Sequence, residues 1–313
     1  MAKFIKISAL SQPSCTAAYS GDMEGMVRIM EQHLRTNIAQ VLVDDPDLIV
    51  LPEACDRFPS MTMEVRKDYY RYRGNRMRDM YREIARKHNC YIAYSACRLV
   101  EDEIDHPFRN STQLIGRDGE IVGIYDKNHL VPDEYDKGEI AYGTEPIVLE
   151  TDFGRVGFAI CFDLNYYELM NAYADLHPDL IIFSSMYHGG LTQENWAYTC
   201  QSFFVGAICN DQSRILNPVG EQLYTTTNYQ NYITGKVNLD YAVIHIDRNR
   251  AKYLAAKKKY GDKLIIHDPG HVGVVVLYYE GEDITARDIV REFDIMLLDD
   301  YFSLCREHKQ KNQ

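Results

Sequence analysis

Two periodicities alternate along the chain. Short runs rich in Val, Ile, Leu, Phe and Tyr stand at Lys3–Leu10, Asp47–Leu51, Cys90–Cys97, Arg155–Ile160, Leu180–Ser185, Phe203–Cys209 and Tyr241–Ile246. Each is bounded by polar, Gly or Pro residues, the pattern of strands. Between them apolar residues recur at three- and four-residue steps: Met23, Met26, Val27, Met30 and Leu34; Met77, Met80, Tyr81 and Ile84; Tyr166, Leu169, Met170 and Tyr173. That spacing predicts helices. Ser20 or Asp22 stands where the first needs a cap. Gly116-Arg117-Asp118-Gly119 lies between two strand-like runs and predicts a hairpin.

Strands alternating with helices predict an α/β layered fold. No linker, low-complexity segment or short internal period divides the chain. From about residue 250 the pattern changes, with Lys257-Lys258-Lys259, a turn at Asp268-Pro269-Gly270 and an apolar run from Val272 to Tyr279. Residues 1–250 are therefore expected to form one domain and 251–313 a C-terminal extension.

Charge narrows the choice of partner. The 46 Asp and Glu outnumber the 34 Lys and Arg, a formal charge of −12, which argues against nucleic acid or an anionic membrane surface. A basic stretch from Glu64 to His88 holds nine Lys and Arg, and is expected to be the solvated face of a helix. No apolar run approaches the length of a membrane helix. The first residues, Met-Ala-Lys-Phe-Ile-Lys-Ile-Ser, alternate as a strand does and lack the apolar block of a secretory signal. None of the eight cysteines forms a Cys-x-x-Cys pair, so a reducing, cytoplasmic setting with free thiols is expected.

Three segments end a predicted strand with a reactive side chain, the position at which α/β folds build sites. In Asp47-Leu48-Ile49-Val50-Leu51-Pro52-Glu53 a carboxylate follows an apolar strand. It is either a partly desolvated base with a raised pKa or a solvated loop residue. In Ile124-Tyr125-Asp126-Lys127-Asn128-His129 the lysine is either a fixed positive charge or a solvated strand end. In Gly154-Arg155-Val156-Gly157-Phe158-Ala159-Ile160-Cys161-Phe162-Asp163-Leu164-Asn165 a strand turns into a helix with Cys161 at the corner. There the helix end favours a thiolate, and the following N–H groups face whatever the sulfur attacks. The other reading is a buried structural cysteine.

Taken in this order, 74 and 34 residues apart, the three segments resemble the nitrilase superfamily of carbon–nitrogen hydrolases, in its amidase-like branch. The likeness runs from about residue 3 to 247 and includes Pro178–Ser185 and Ser213–Gly220. The resemblance implies a four-layer α-β-β-α sandwich and a catalytic Glu53-Lys127-Cys161 triad. It also implies a second glutamate, Glu134 or its rival Glu139, an oxyanion site at the backbone N–H of Phe162, and no metal or organic cofactor. Asn165 and Tyr187 are candidate substrate contacts. Cys161-Phe162-Asp163 differs from the Cys-Trp-Glu of nitrile-hydrolysing members, so an amide or carbamoyl substrate is expected ahead of a nitrile. Leu164 and Asn165 stand where carbamoyl-amino-acid hydrolases place arginine, which leaves Arg57 as a possible cation from another loop. A homodimer or larger homo-oligomer is expected, because the family commonly pairs and because the runs Val272–Tyr279 and Phe293–Leu298 look too apolar to remain in water. Tyr166, Tyr167 and Tyr173 suit an interface.

Overall fold

The computed structural model describes residues 2–313. In chain order the elements are β1 (Phe4–Leu10), α1 (Met23–Leu42), β2 (Leu48–Val50), α2 (Met63–Arg73), α3 (Arg76–His88), β3 (Tyr91–Leu99), β4 (Phe108–Ile115), β5 (Ile121–Asp126) and α4 (Pro132–Asp136). There follow β6 (Val148–Glu150), β7 (Arg155–Ile160), α5 (Tyr167–Leu176), β8 (Leu180–Ser185), α6 (Thr192–Cys200), β9 (Phe203–Ile208), β10 (Arg214–Leu216), β11 (Gln222–Thr225) and β12 (Tyr232–Asn238). The last are β13 (Tyr241–His245), α7 (Arg250–Tyr260), β14 (Leu264–His267), β15 (Val274–Tyr279), α8 (Ala286–Glu292) and α9 (Leu298–Lys311).

The strands form two six-stranded sheets, β12-β1-β2-β3-β4-β5 and β11-β10-β9-β8-β7-β6. Each is built on three parallel strands (β1-β2-β3 and β7-β8-β9), with antiparallel neighbours at β4, β6 and β10. Strands β2, β8 and β9 are buried along their whole length, as expected of strands covered on both faces. On the outer face of the first sheet, Met26, Met30 and Leu34 of α1 and Met77, Met80 and Tyr81 of α3 pack with Ile49 and Ile92. On the second sheet, Met170 and Tyr173 of α5 and Trp196 of α6 cover Ile181, Phe183 and Phe204. The inner faces meet: Tyr125 of β5 stacks on Phe158 of β7, and the Ser184 hydroxyl donates to the Leu51 carbonyl at 2.8 Å. The result is the expected α-β-β-α sandwich.

The seven predicted strands are present within two residues of their expected ends, and the three predicted helices are present, α1 running on from the Met23–Leu34 stripe to Leu42. Asp22 rather than Ser20 precedes α1, although its side chain caps no N–H. The basic stretch differs from its expectation. It forms two helices, broken at Gly74 and Asn75, and most of its cations hold carboxylates: Arg73 pairs with Asp56, Lys67 and Arg71 with Glu139, Arg76 with Glu24, and Arg82 with Glu120.

Contacts divide the chain into two compact units, Lys6–Gly235 and a second made of the residues up to Ile5 with Lys236–Gln313. In the second unit β15 is the middle strand of an antiparallel sheet, β13-β15-β14. Val275, Leu277 and Tyr279 pack there against Tyr253 and Ala256 of α7 and Ile289 and Val290 of α8. The apolar runs expected to need a partner subunit are thus covered by their own unit. Of the tyrosines assigned to an interface, Tyr173 is fully buried in the sandwich and Tyr167 is exposed. Among the described residues no helix is long and apolar enough to cross a membrane.

Tyr173 locks the strand that leads to Cys161. Its hydroxyl accepts from the N–H groups of Phe158 and Ile147 at 3.2 and 3.3 Å. A Cβ at Gly157 would lie 2.9 Å from the tyrosine ring, so this position of β7 must be glycine for the ring to seat. Tyr173→Phe strands both donors. It is expected to lower the unfolding free energy by about 1–3 kcal/mol in urea titrations.

Candidate active site

The site is assembled from loops at strand ends. Glu53 follows β2 by way of Leu51 and Pro52, Lys127 directly follows β5, and Glu134 sits on the short α4. Cys161 ends β7, and Met186 and Tyr187 end β8. The Lys127 ammonium, 2 % exposed, donates to Glu53 Oε1 at 3.0 Å and to Glu134 Oε2 at 2.8 Å. Asn110 of β4 repeats the bridge, its Nδ2 donating to both Glu53 Oε1 and Glu134 Oε1 at 2.8 Å. Glu53 Oε2 accepts from the Met186 N–H at 3.1 Å, and the Glu53 carboxylate also accepts from the Cys161 thiol. Glu53, Lys127, Glu134 and Cys161 therefore form one connected group. The rival Glu139 does not join it, its carboxylate being held by Lys67 and Arg71.

Electrostatics here depart from the sequence expectation in two respects. Burial pushes the Glu53 carboxyl upward, but the Lys127 ammonium and the hydrogen bonds from Cys161, Asn110 and Lys127 outweigh it, and the net shift is downward. The Cys161 thiol is pushed up to about 12, by burial first and by the neighbouring Glu53 charge second, with Lys127 only partly opposing. The resting pair is thus an ionised carboxylate and a neutral thiol. The expected thiolate at a helix end is absent for a structural reason as well: the residues after β7 form a five-residue 3-10 turn, Cys161–Asn165, and α5 starts only at Tyr167. Burial opposes the charge on Lys127, but Glu53, Glu134 and Cys161 hold its pKa above the usual lysine range.

Cys161 itself is strained, with φ at +48°. For a residue with a side chain this costs of the order of 1–2 kcal/mol, so something must hold the elbow. Asp163, fully buried, does so. Its Oδ2 accepts from the Ile160 N–H at 3.0 Å and the Tyr125 hydroxyl at 2.8 Å, and its Oδ1 from the His129 N–H at 2.8 Å. His129 Nδ1 lies 3.1 Å from the same oxygen, and the imidazole stacks on Tyr166 with centroids 3.6 Å apart. One carboxylate thereby ties the cysteine elbow to the segment carrying Lys127.

Phe162 lies in the first turn after Cys161. Asn165 and Tyr187 meet, the amide donating to the phenol at 3.0 Å and also to the Phe162 carbonyl at 3.1 Å. Burial first and then the Cys161 charge push the Tyr187 hydroxyl up to about 12. Sequence reasoning missed Asn110 and the clamping part of Asp163. A signal existed for the first: Asn110-Ser111-Thr112-Gln113 is a polar run inside a buried strand, and buried polar groups there need partners. Among the described residues no group of three or more His, Cys, Asp or Glu is arranged to hold a metal ion.

Asp163→Ala removes the acceptor for Ile160, Tyr125 and His129 together. It is expected to cost roughly 3 kcal/mol of stability in urea unfolding, with loss of the His129–Tyr166 stack; a change under about 0.5 kcal/mol would show that the clamp is not needed.

Comparison with known proteins agrees with this architecture. The family model described as carbon-nitrogen hydrolase matches residues 8–241. A chloroplastic omega-amidase of Arabidopsis thaliana is 24% identical over 188 residues, covering 52% of this chain and 50% of the relative. A beta-ureidopropionase of the same plant is 30% identical over 138 residues, covering 40% and 33%. The chain thus spans half or less of the length of these curated relatives. Among solved structures, an amidase mutant from Nesterenkonia sp. in complex with acrylamide superposes with a TM-score of 0.62 at 15% identity, covering 75% of this chain and 91% of that one. With most of the sandwich inside the matched span, the chain belongs to the carbon–nitrogen hydrolase family.

Proposed function

We propose that this protein hydrolyses amide-type carbon–nitrogen bonds, of amides or carbamoyl compounds, with Cys161 as nucleophile and a thioester intermediate. The observation that carries the reading is the double engagement of Glu53, whose buried carboxylate holds the Lys127 ammonium at 3.0 Å and also accepts from the Cys161 thiol. The amidase-type relatives support the same class of reaction.

In the proposed sequence Glu53 takes the thiol proton as the sulfur bonds to the carbonyl carbon. The resulting oxyanion develops beside the Lys127 ammonium and the backbone N–H of Phe162. Collapse breaks the C–N bond, and the leaving nitrogen takes the proton from Glu53 and departs as ammonia or an amine. Water then attacks the thioester, giving one proton to Glu53. The sulfur leaves and recovers that proton, and the acid is released. Glu134 and Asn110 act as positioning residues, holding Lys127 and Glu53 in register. A neutral thiol next to an ionised carboxylate suits this scheme, because the base is charged before substrate arrives and the proton moves only with attack.

Cys161→Ala is expected to lower kcat/KM for a primary amide by roughly a thousandfold or more, read as ammonia release. Glu53→Gln should do nearly as much alone and add little to Cys161→Ala, since groups serving one transition state are not additive. Independent, multiplying losses would contradict the scheme.

The pH profile follows from the direction of the shifts. Glu53 must be ionised, and its pKa lies below the usual glutamate value of 4.5, so activity is lost only as pH falls through that region. Cys161 titrates near 12, so no thiolate limb rises between pH 6 and 9. A flat profile across neutrality is expected; an acid limb centred near 6 to 7 would show that Glu53 is not the base.

A further inference from the structure

Among the described residues two guanidinium groups near the site hold no carboxylate, in a chain that has carboxylates to spare. In the hydrolase unit the other buried and half-buried arginines each hold a carboxylate, as Arg73 holds Asp56, Arg98 holds Asp126, Arg117 holds Asp47 and Arg214 holds Glu194. Arg57 and Arg66 do not. Arg57, four residues after Glu53, is half-buried, and its Nη2 approaches only the Met186 sulfur, at 3.7 Å. Arg66, on the inner side of α2, donates to the Met61 carbonyl at 3.1 Å, and its Nε is buried with no partner. The acid next to Arg57 in sequence, Asp56, is fully buried and already committed to Arg73 and to the Tyr94 hydroxyl. The two lie close enough to interact: burial first, and then the Arg57 charge, lower the pKa of Arg66. Leaving two like charges half-buried and uncompensated costs stability unless a ligand repays it.

Their position says what the ligand is. The Met186 residue whose sulfur meets Arg57 is the one whose N–H binds Glu53, so a single side chain separates the guanidinium from the reacting group. The Glu53-Lys127-Glu134 set carries one negative charge in excess and would repel an anionic substrate unless cations received its far end. Planar guanidiniums match a carboxylate geometrically.

Resting on the proposed hydrolase reading, we infer that Arg57 and Arg66 form an anion subsite beside Cys161, and that the preferred substrate is an amide or carbamoyl compound with a carboxylate at its other end. The charge that selects the substrate then comes from the loop after β2 and from α2, and not from the turn that follows the cysteine.

Two measurements on the full chain test this. The first is calorimetric titration with glutarate, a dicarboxylate with no amide to cleave; binding is expected, and Arg57→Met and Arg66→Met should each weaken it about tenfold to a hundredfold, with Arg57→Lys recovering part. The second is the ratio of kcat/KM for glutaramic acid to that for pentanamide, its neutral counterpart. The ratio is expected to exceed ten in the unaltered protein and to fall toward one in Arg57→Met, carried by KM. Circular dichroism identifies variants that have not folded, and Arg57→Lys keeps the test open if Arg66→Met is one of them. Absence of glutarate binding, or a ratio near one in the unaltered protein, overturns the subsite. Glutarate binding lost on Arg57→Met, in a protein that cleaves no amide, supports the subsite and instead contradicts the hydrolase reading.

Discussion

The Lys127 ammonium is held out of water between two carboxylates, and the site is organised around that arrangement. Removing such a cation from water costs several kcal/mol. Glu53 and Glu134 offset this at 3.0 and 2.8 Å, with Asn110 fixing both carboxylates from the other side. Breaking a buried group of this kind by removing one member typically costs about 3–5 kcal/mol, so three loops are bound to one another through charge. The same arrangement sets the protonation states. Glu53 stays ionised because Lys127 and its hydrogen-bond donors outweigh burial, and the ionised Glu53 in turn helps keep the Cys161 thiol protonated.

Backbone geometry supplies the second constraint. Cys161 adopts a positive φ, the 3-10 turn after it is short, and Asp163 anchors the elbow to both β7 and the His129 segment. The charged group and the elbow are therefore not independent. Asp163 accepts from the N–H of a residue two positions after Lys127, so a shift in either loop moves both.

Much of this was legible in the sequence because it lies in local pattern. Periodicity located the core strands and the helices α1, α3 and α5, since each buries one continuous stripe or run. The strand-end positions of Glu53, Lys127 and Cys161 could be read directly. Other features depend on groups distant in sequence. The downward shift of Glu53 requires Lys127, 74 residues away, to sit at 3.0 Å, and burial alone predicts the opposite sign. The choice of Glu134 over Glu139 is made by the turn of α4 and by Lys67 and Arg71 from α2. The apolar runs near the C-terminus looked like an unmet interface because sequence shows how apolar a strand is, and not that β13, α7 and α8 cover it.

The proposed reaction passes through a covalent acyl group carried by Cys161, and intact-mass spectrometry after rapid acid quench measures that directly. During turnover of a slowly deacylating amide, the protein is expected to gain the mass of the substrate less ammonia. Peptide mapping should place the adduct on Cys161, and Cys161→Ala should carry none. Turnover without any adduct at Cys161, or an adduct on a different cysteine such as Cys209, would contradict the account.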